Sequence, residues 1–329
     1  MSRFRNFIKI SLWLCIIVTC TLNAQWSQDP GEALNLPDIP HGYILSTDSL
    51  GGVFIVGTGQ DYSRTYCTYI DRGGELGWDR WISLIPEVDI DYPTGVIVCP
   101  EPGYIVALQL TEHRTDEDTT SGFRAQKLDR EGQRLWSDLG APVSDMNLRL
   151  EYLGYLNVIG VVSDSEGGLI ILWVMKYYRD VLGNLILERQ SIRAQRLSPD
   201  GESLWGNRGV EVIPDINGRY DIIGKTVSDG AGGVIIVYSK KGIETRELGG
   251  QRISPEGDIL WRESGILYEL DSYLFIGDAV SDNQGGVIFS GQAAHNERRH
   301  VRVFRLNQNG DQLFGDGNGV IVKDVHYRD

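Results

Sequence analysis

SDGAGGVIIVY (228–238), followed by QRISPEGDILW (251–261), decides the fold of this chain. A Gly-rich turn enters an apolar run, and a second Gly turn ends on an aromatic residue. The run Val-Ile-Ile-Val at 234–237 is apolar at every position, as a strand buried on both faces requires. The same pair recurs five times. The first halves are 47–57, 99–109, 163–173, 228–238 and 281–291, and the second halves are 68–78, 126–136, 195–205, 251–261 and 304–314. The turn glycines Gly51, Gly103, Gly167, Gly232 and Gly285, and the closing aromatics Trp78, Trp136, Trp205, Trp261 and Phe314, both repeat about every 59 residues. A unit that recurs at fixed spacing stacks on copies of itself.

Each unit reads as four strands. In the fourth unit these are 222–227, 234–238, 249–253 and 259–268, with Gly, Asp, Ser and Pro between them. The closing Trp is expected between adjacent sheets, where a large ring is buried best. Sustained helical periodicity is missing from the sequence. Five four-stranded units predict an all-β chain, a β-propeller of five blades. A count of six follows if the stretch before His41 or the segment 137–160 hides a degenerate unit. The predicted units are 41–86, 87–144, 145–213, 214–269 and 270–329, after a lead at 25–40.

Residues 1–24 read as a secretory signal: Arg3, Arg5 and Lys9 precede an apolar stretch that ends near Ala24. That stretch is too short for a membrane span. Cys20 offers an imperfect lipid-attachment box, with Thr19 where Gly or Ala is usual. The expected location is the periplasm, cell surface or exterior, and the expected state a monomer. The formal charge is −14, and loss of the three leader bases takes it to −17. Such a chain repels nucleic acid and anionic lipid. Cys67 and Cys99 remain after the leader and could pair in an oxidising compartment, a matter for geometry.

The residues Ser228 to Tyr238 and Gln251 to Trp261, with 163–173 and 195–205, resemble a bacterial secreted propeller repeat family with the pattern D-G-x-G-G … Q-R-L-x-x-x-G-x-x-L-W. The resemblance implies export and envelope location more than chemistry. Two enzyme-associated propeller hairpins are more distantly similar. The quinoprotein hairpin is approached by Asp129, Gly132 and Trp136, one residue short. The Asp-box hairpin is approached by Ser198, Asp200 and Trp205, with Gly201 one place early.

Candidate sites are few. Asp48, Asp164, Asp229 and Asp282 recur at one turn position. They read as a repeated calcium site or as Asx turns, and the recurrence favours turns. Apart from calcium, no cofactor is expected. Asp316-Gly317-Asn318-Gly319 is a calcium-loop fragment without the full ligand spacing. His41, His113, His295, His300 and His326 lack metal-ligand spacing. In a propeller the first and second hairpin turns share one face. The variable loops 113–120, 177–188, 240–247 and 295–300 share the other with the blade connections. Binding is built on variable loops. The named candidates for a protein or glycan partner are Asp116, Glu117, Asp118, Asp215, Asp221, Arg298 and Arg299. The expected function is a non-catalytic binding or scaffold module with a loop-rich, acidic face. The alternatives are a propeller glycoside hydrolase or lyase, using Asp89 or Asp91 with Asp215 or Asp221, and a structural surface-layer component.

Overall fold

The computed structural model describes residues 41–58, 64–78, 81–85, 90–98, 103–114, 119–144, 148–149, 157–182, 184–216, 221–241, 247–263, 265–295, 298–315 and 317–325. The expected signal and lead, with Cys20, lie outside them, as does Cys99. Five antiparallel sheets follow one another along the chain. The first holds β1 (His41–Thr47), β2 (Val53–Thr58), β3 (Thr65–Ile70) and β4 (Ile82–Ser83). The second holds β5 (Ile90–Val98), β6 (Tyr104–Arg114), β7 (Thr119–Asp129) and β8 (Ala141–Pro142), and β9 (Leu148–Arg149) also pairs with β7. The third holds β10 (Asn157–Ser163), β11 (Leu169–Val181), β12 (Asn184–Leu197) and β13 (Val210–Ile213). The fourth holds β14 (Asp221–Ser228), β15 (Val234–Lys241), β16 (Glu247–Ile253) and β17 (Ile266–Glu269). The fifth holds β18 (Tyr273–Ser281), β19 (Val287–His295), β20 (Arg298–Leu306) and β21 (Val320–Val325).

The first strands form the spine: β1 packs on β5, β5 on β10, β10 on β14 and β14 on β18. Alternate side chains of the middle strands then meet the sheets on either side. In β15, Val234 and Ile236 join the core against the third sheet, and Ile235 and Val237 join the core against the fifth. All four are buried, so the unbroken apolar run has its physical reason. Four apolar clusters fill the four spaces between consecutive sheets. This is a propeller-like arrangement of five sheets. The segment 137–160 supplies β8 and β9 to the second sheet and the start of β10 to the third, so the fifth strand of the second sheet comes from a stretch expected to open the third unit.

The repeated Gln-Arg-Leu/Ile triplet acquires three separate jobs. Gln195 is buried; its Oε1 accepts the Trp205 N–H at 3.0 Å and its Nε2 donates to Gly206 O. Gln251 treats Trp261 and Arg262 in the same way, and Gln126 treats Trp136 and Ser137. The arginine reaches the first-turn aspartate, and the Leu or Ile enters the core. This holds the closing turn off the sheet edge. The fourth strand therefore starts later than sequence predicts. Among the described residues, Ile259 makes an isolated bridge to Ile253, the Gly265 N–H donates to Arg262 O, and the paired strand is Ile266–Glu269.

The closing indoles rivet one sheet to the next, as expected of rings between sheets. Nε1 of Trp78 donates to Arg130 O, Trp136 to Pro199 O, Trp205 to Pro255 O and Trp261 to Gln308 O, at 2.7–3.0 Å. The next sheet's turn glycine lies against the ring. A Cβ on Gly257, whose φ is +94°, would stand 3.2 Å from the Trp205 indole. The fifth unit carries Phe314 here, a ring with no N–H to donate.

Candidate functional site

Each first-turn aspartate is spent on its own turn. Asp48 Oδ1 accepts N–H groups from Leu50 and Gly52, both at 2.7 Å, and Oδ2 accepts the Tyr69 hydroxyl at 2.8 Å and faces Arg130 Nε at 3.1 Å. Asp164 Oδ1 caps Glu166 and Gly168 while Oδ2 holds Arg196. Asp229 caps Ala231 and Gly233 and holds Arg252; Asp282 caps Gln284 and Gly286 and holds Arg305. All four are buried on the side-chain measure. Burial alone would raise the Asp48 carboxyl. The Tyr69 hydroxyl, the two N–H groups and the Arg130 charge outweigh burial and hold the group below its ordinary 3.8. Asp282 is lowered in the same way, burial being outweighed by Gln284, Gly286 and Arg305. A cation at any of these carboxylates would have to displace a guanidinium or a phenol. The second turns are capped alike, by Asp71, Asp129, Ser198, Ser254 and Asn307, each bonding the N–H groups two and four residues on. The sequence signal for this set is an Asx or Ser three places before each turn glycine.

The opposite face differs from expectation in kind. The described ends of the expected variable loops are strand. Residues 177–181 continue β11 and 184–188 continue β12. β6, β7, β15, β16, β19 and β20 likewise run into the expected loops at 113–120, 240–247 and 295–300. Among the described residues, β10 pairs with β11 as far as Val174, and β13 pairs with β12 as far as Ile192. Beyond them stand Tyr177, Tyr178, Arg179 and Leu182, the last 97% exposed. The Arg189 guanidinium covers the Tyr177 ring at 3.9 Å and donates to Pro214 O, which stiffens the stem. Lys176, Arg179 and Arg189 stand among Asp180 and Glu188, so this projection is mixed in charge and not acidic.

The topology places several predicted partner residues on this face without clustering them. Asp215 is exposed in the connection after β13, Asp221 opens β14, and Arg298 and the exposed Arg299 open β20. Asp116, Glu117 and Asp118 lie outside the described residues, as do Asp89 and His326. Asp91 opens into β5, His41, His113 and His295 lie in strands, and His300 is half-buried in β20. Among the described residues, no three His, Cys, Asp or Glu side chains gather as metal ligands. Cys67 is buried between the first two sheets. Asn318, from the calcium-loop fragment, accepts the Asp271 N–H through Oδ1 and Arg302 through its carbonyl. No helix among the described residues is long and apolar enough to cross a membrane.

No protein-family model matches the chain, and no curated protein does. Solved structures are similar in fold. An ulvan lyase of a polysaccharide lyase family aligns over 86% of this chain and 69% of its own, at 12% identity and a TM-score of 0.48. An α-L-arabinofuranosidase from Lactobacillus brevis aligns over 83% and 92%, at 12% identity and a TM-score of 0.37. A lectin bound to a methyl fucoside aligns over 87% and 96%, at 9% identity and a TM-score of 0.26.

Proposed function

We propose that the chain is an exported, non-catalytic binding or scaffold module, a five-bladed member of the secreted propeller repeats, that meets a protein or glycan through its hairpin-tip face. The β11–β12 projection supports this reading. Its end carries Tyr, Arg and an exposed Leu on a braced two-stranded stem, and aromatic and Arg side chains dominate the energetics of interfaces. The recurring turn aspartates on the other face have their carboxylates committed to the fold.

Replacing Tyr178, Arg179 and Leu182 together by Ser is expected to weaken partner binding by about tenfold or more while leaving the melting temperature unchanged. Binding to a panel of soluble polysaccharides and envelope proteins, by calorimetry, checks it. The joint replacement of Asp116, Glu117 and Asp118 by Ser gives the matching test of the acidic loop. Unchanged affinity in both variants removes this face. The second reading is a glycoside hydrolase or lyase, the class of the ulvan lyase and the arabinofuranosidase. Its acids would be Asp89, Asp91, Asp215 or Asp221. Release of reducing or unsaturated ends from the same polysaccharides would replace the binding reading with this one.

The module is proposed to work without a resident cation. Thermal unfolding in calcium and in excess chelator is expected to give one midpoint, since a ligand raises stability only by binding the folded state better. A calcium-dependent rise would place a cation on the turn aspartates or the acidic loops.

A further inference from the structure

A cleft of about 470 Å³ opens at the outer rim between the first two sheets, lined among others by Tyr66, Trp81, Ser83, Gln133, Arg134 and Asp138. One of these residues breaks the rule of its own repeat. The residue before the fourth strand is Gly140, Gly209, Gly265 and Gly319 in the second to fifth sheets, with φ of 67°, 62°, 76° and 71°. A side chain there would strike the third strand. A Cβ on Gly140 would lie 2.6 Å from Ala125 O, and one on Gly265 would lie 2.7 Å from Gly250 O. In the first sheet the residue before the fourth strand is Trp81. The repeat has given up its glycine turn and set a large ring beside an open cleft. Departures from a consistent local rule concentrate at functional sites.

Arg134 adds a charge at a place that varies from unit to unit. Its place in the other units is Leu76, Ser203, Ile259 and Gln312. Here the guanidinium donates to Asp138 Oδ1 at 3.0 Å and to Ser83 O at 3.2 Å. Asp138 is 58% exposed and so keeps acceptor capacity toward the cleft. Ser83 Oγ is buried and makes no hydrogen bond. The cleft thus pairs aromatic surface with a donor and an acceptor held side by side.

We propose that this cleft binds one neutral sugar residue of a glycan. A pyranose presents an apolar C–H face, which suits the rings of Trp81 and Tyr66, and a rim of hydroxyls that both donate and accept. An anion would meet Asp138 and a cation would meet Arg134. An apolar ligand would strip water from the ion pair without replacing it. A neutral polyhydroxylated ring is the ligand class that the whole set accommodates. The site is separate from the hairpin-tip face and does not rest on that reading.

The test is calorimetric titration of the full chain with neutral cello-, xylo-, manno- and arabino-oligosaccharides, with indole fluorescence read in parallel. At least one series is expected to bind. Trp81→Gly, which installs the residue of the other four sheets, is expected to lower affinity by about tenfold or more with no loss of melting temperature. Asp138→Ala, at a more exposed position, is expected to do the same and serves if Trp81→Gly unfolds. No binding in any series, or equal binding by both variants, overturns the proposal. Loss of binding in the hairpin variant alone would also overturn it, and would place the sugar on the hairpin-tip face.

Discussion

Replacing Trp173 by Ala is expected to destabilise the protein by about 3–5 kcal/mol, the range for truncating a large buried aromatic. Trp173 is fully buried at the centre of β11 and meets Phe123 of the second sheet edge-on at a centroid distance of 6.0 Å. It also packs within the cluster that holds Leu169, Ile171, Met175 and Leu197. Strands hydrogen-bonded on both sides cannot collapse into the void, so the cavity stays. Trp173→Phe is expected to cost far less. Trp173 Nε1 makes no hydrogen bond, so the swap loses volume and also removes a buried, unsatisfied donor. Trp205→Phe makes the useful contrast. That indole donates to Pro255 O, and losing the bond costs about 1 kcal/mol. Urea unfolding of the three variants should rank them Trp173→Ala well below the other two. Equal midpoints for Trp173→Ala and wild type would mean the second and third sheets do not share this core.

Asp48→Ala is the second large effect, expected at about 3 kcal/mol. It leaves the N–H groups of Leu50 and Gly52 and the Tyr69 hydroxyl without their acceptor, and removes the counter-charge of Arg130. Because Arg130 belongs to the second sheet, the loss also loosens the contact between the first two sheets. Asp48→Asn should cost less, since an amide oxygen still caps the turn. The pH dependence has a definite sign. The folded carboxyl titrates below its ordinary 3.8, so its contribution is fully present above that value and is lost as pH falls through the folded value. Asp282 adds a term of the same sign. Unfolding midpoints between neutral pH and pH 2 should therefore fall at the acid end in the wild type, and less so in an Asp48→Asn, Asp282→Asn double variant. Identical acid slopes would show that these carboxylates titrate alike in both states.

Much of the fold was legible because a turn is a local event. Asp229, Gly232 and Gly233 reverse the chain whatever lies around them, and an apolar 234–237 can only be interior. The misread elements depended on distant partners. Residues 259–265 have strand composition, yet the buried Gln251 side chain ties the Trp261 turn away from the edge. Residues 177–188 look polar enough for a loop, yet 177 pairs with 189 and 181 with 184 across a continued hairpin. The cleft was not legible. Trp81 lies three residues after Trp78, whereas Gly140, Gly209 and Gly265 lie four after their closing aromatics, so only the pairing of the third and fourth strands puts it in their place, and only packing brings Arg134 to Asp138.

The sequence by itself determined the recurrence of a four-stranded antiparallel unit and its turn residues, because hydrogen bonds within a turn span two to four positions. Only the tertiary structure decided which residues link the sheets. The indole bonds join residues 47–63 positions apart, and their partners are backbone carbonyls that any residue type could supply. A carbonyl leaves no mark in the sequence, so those contacts appear only once the sheets are packed.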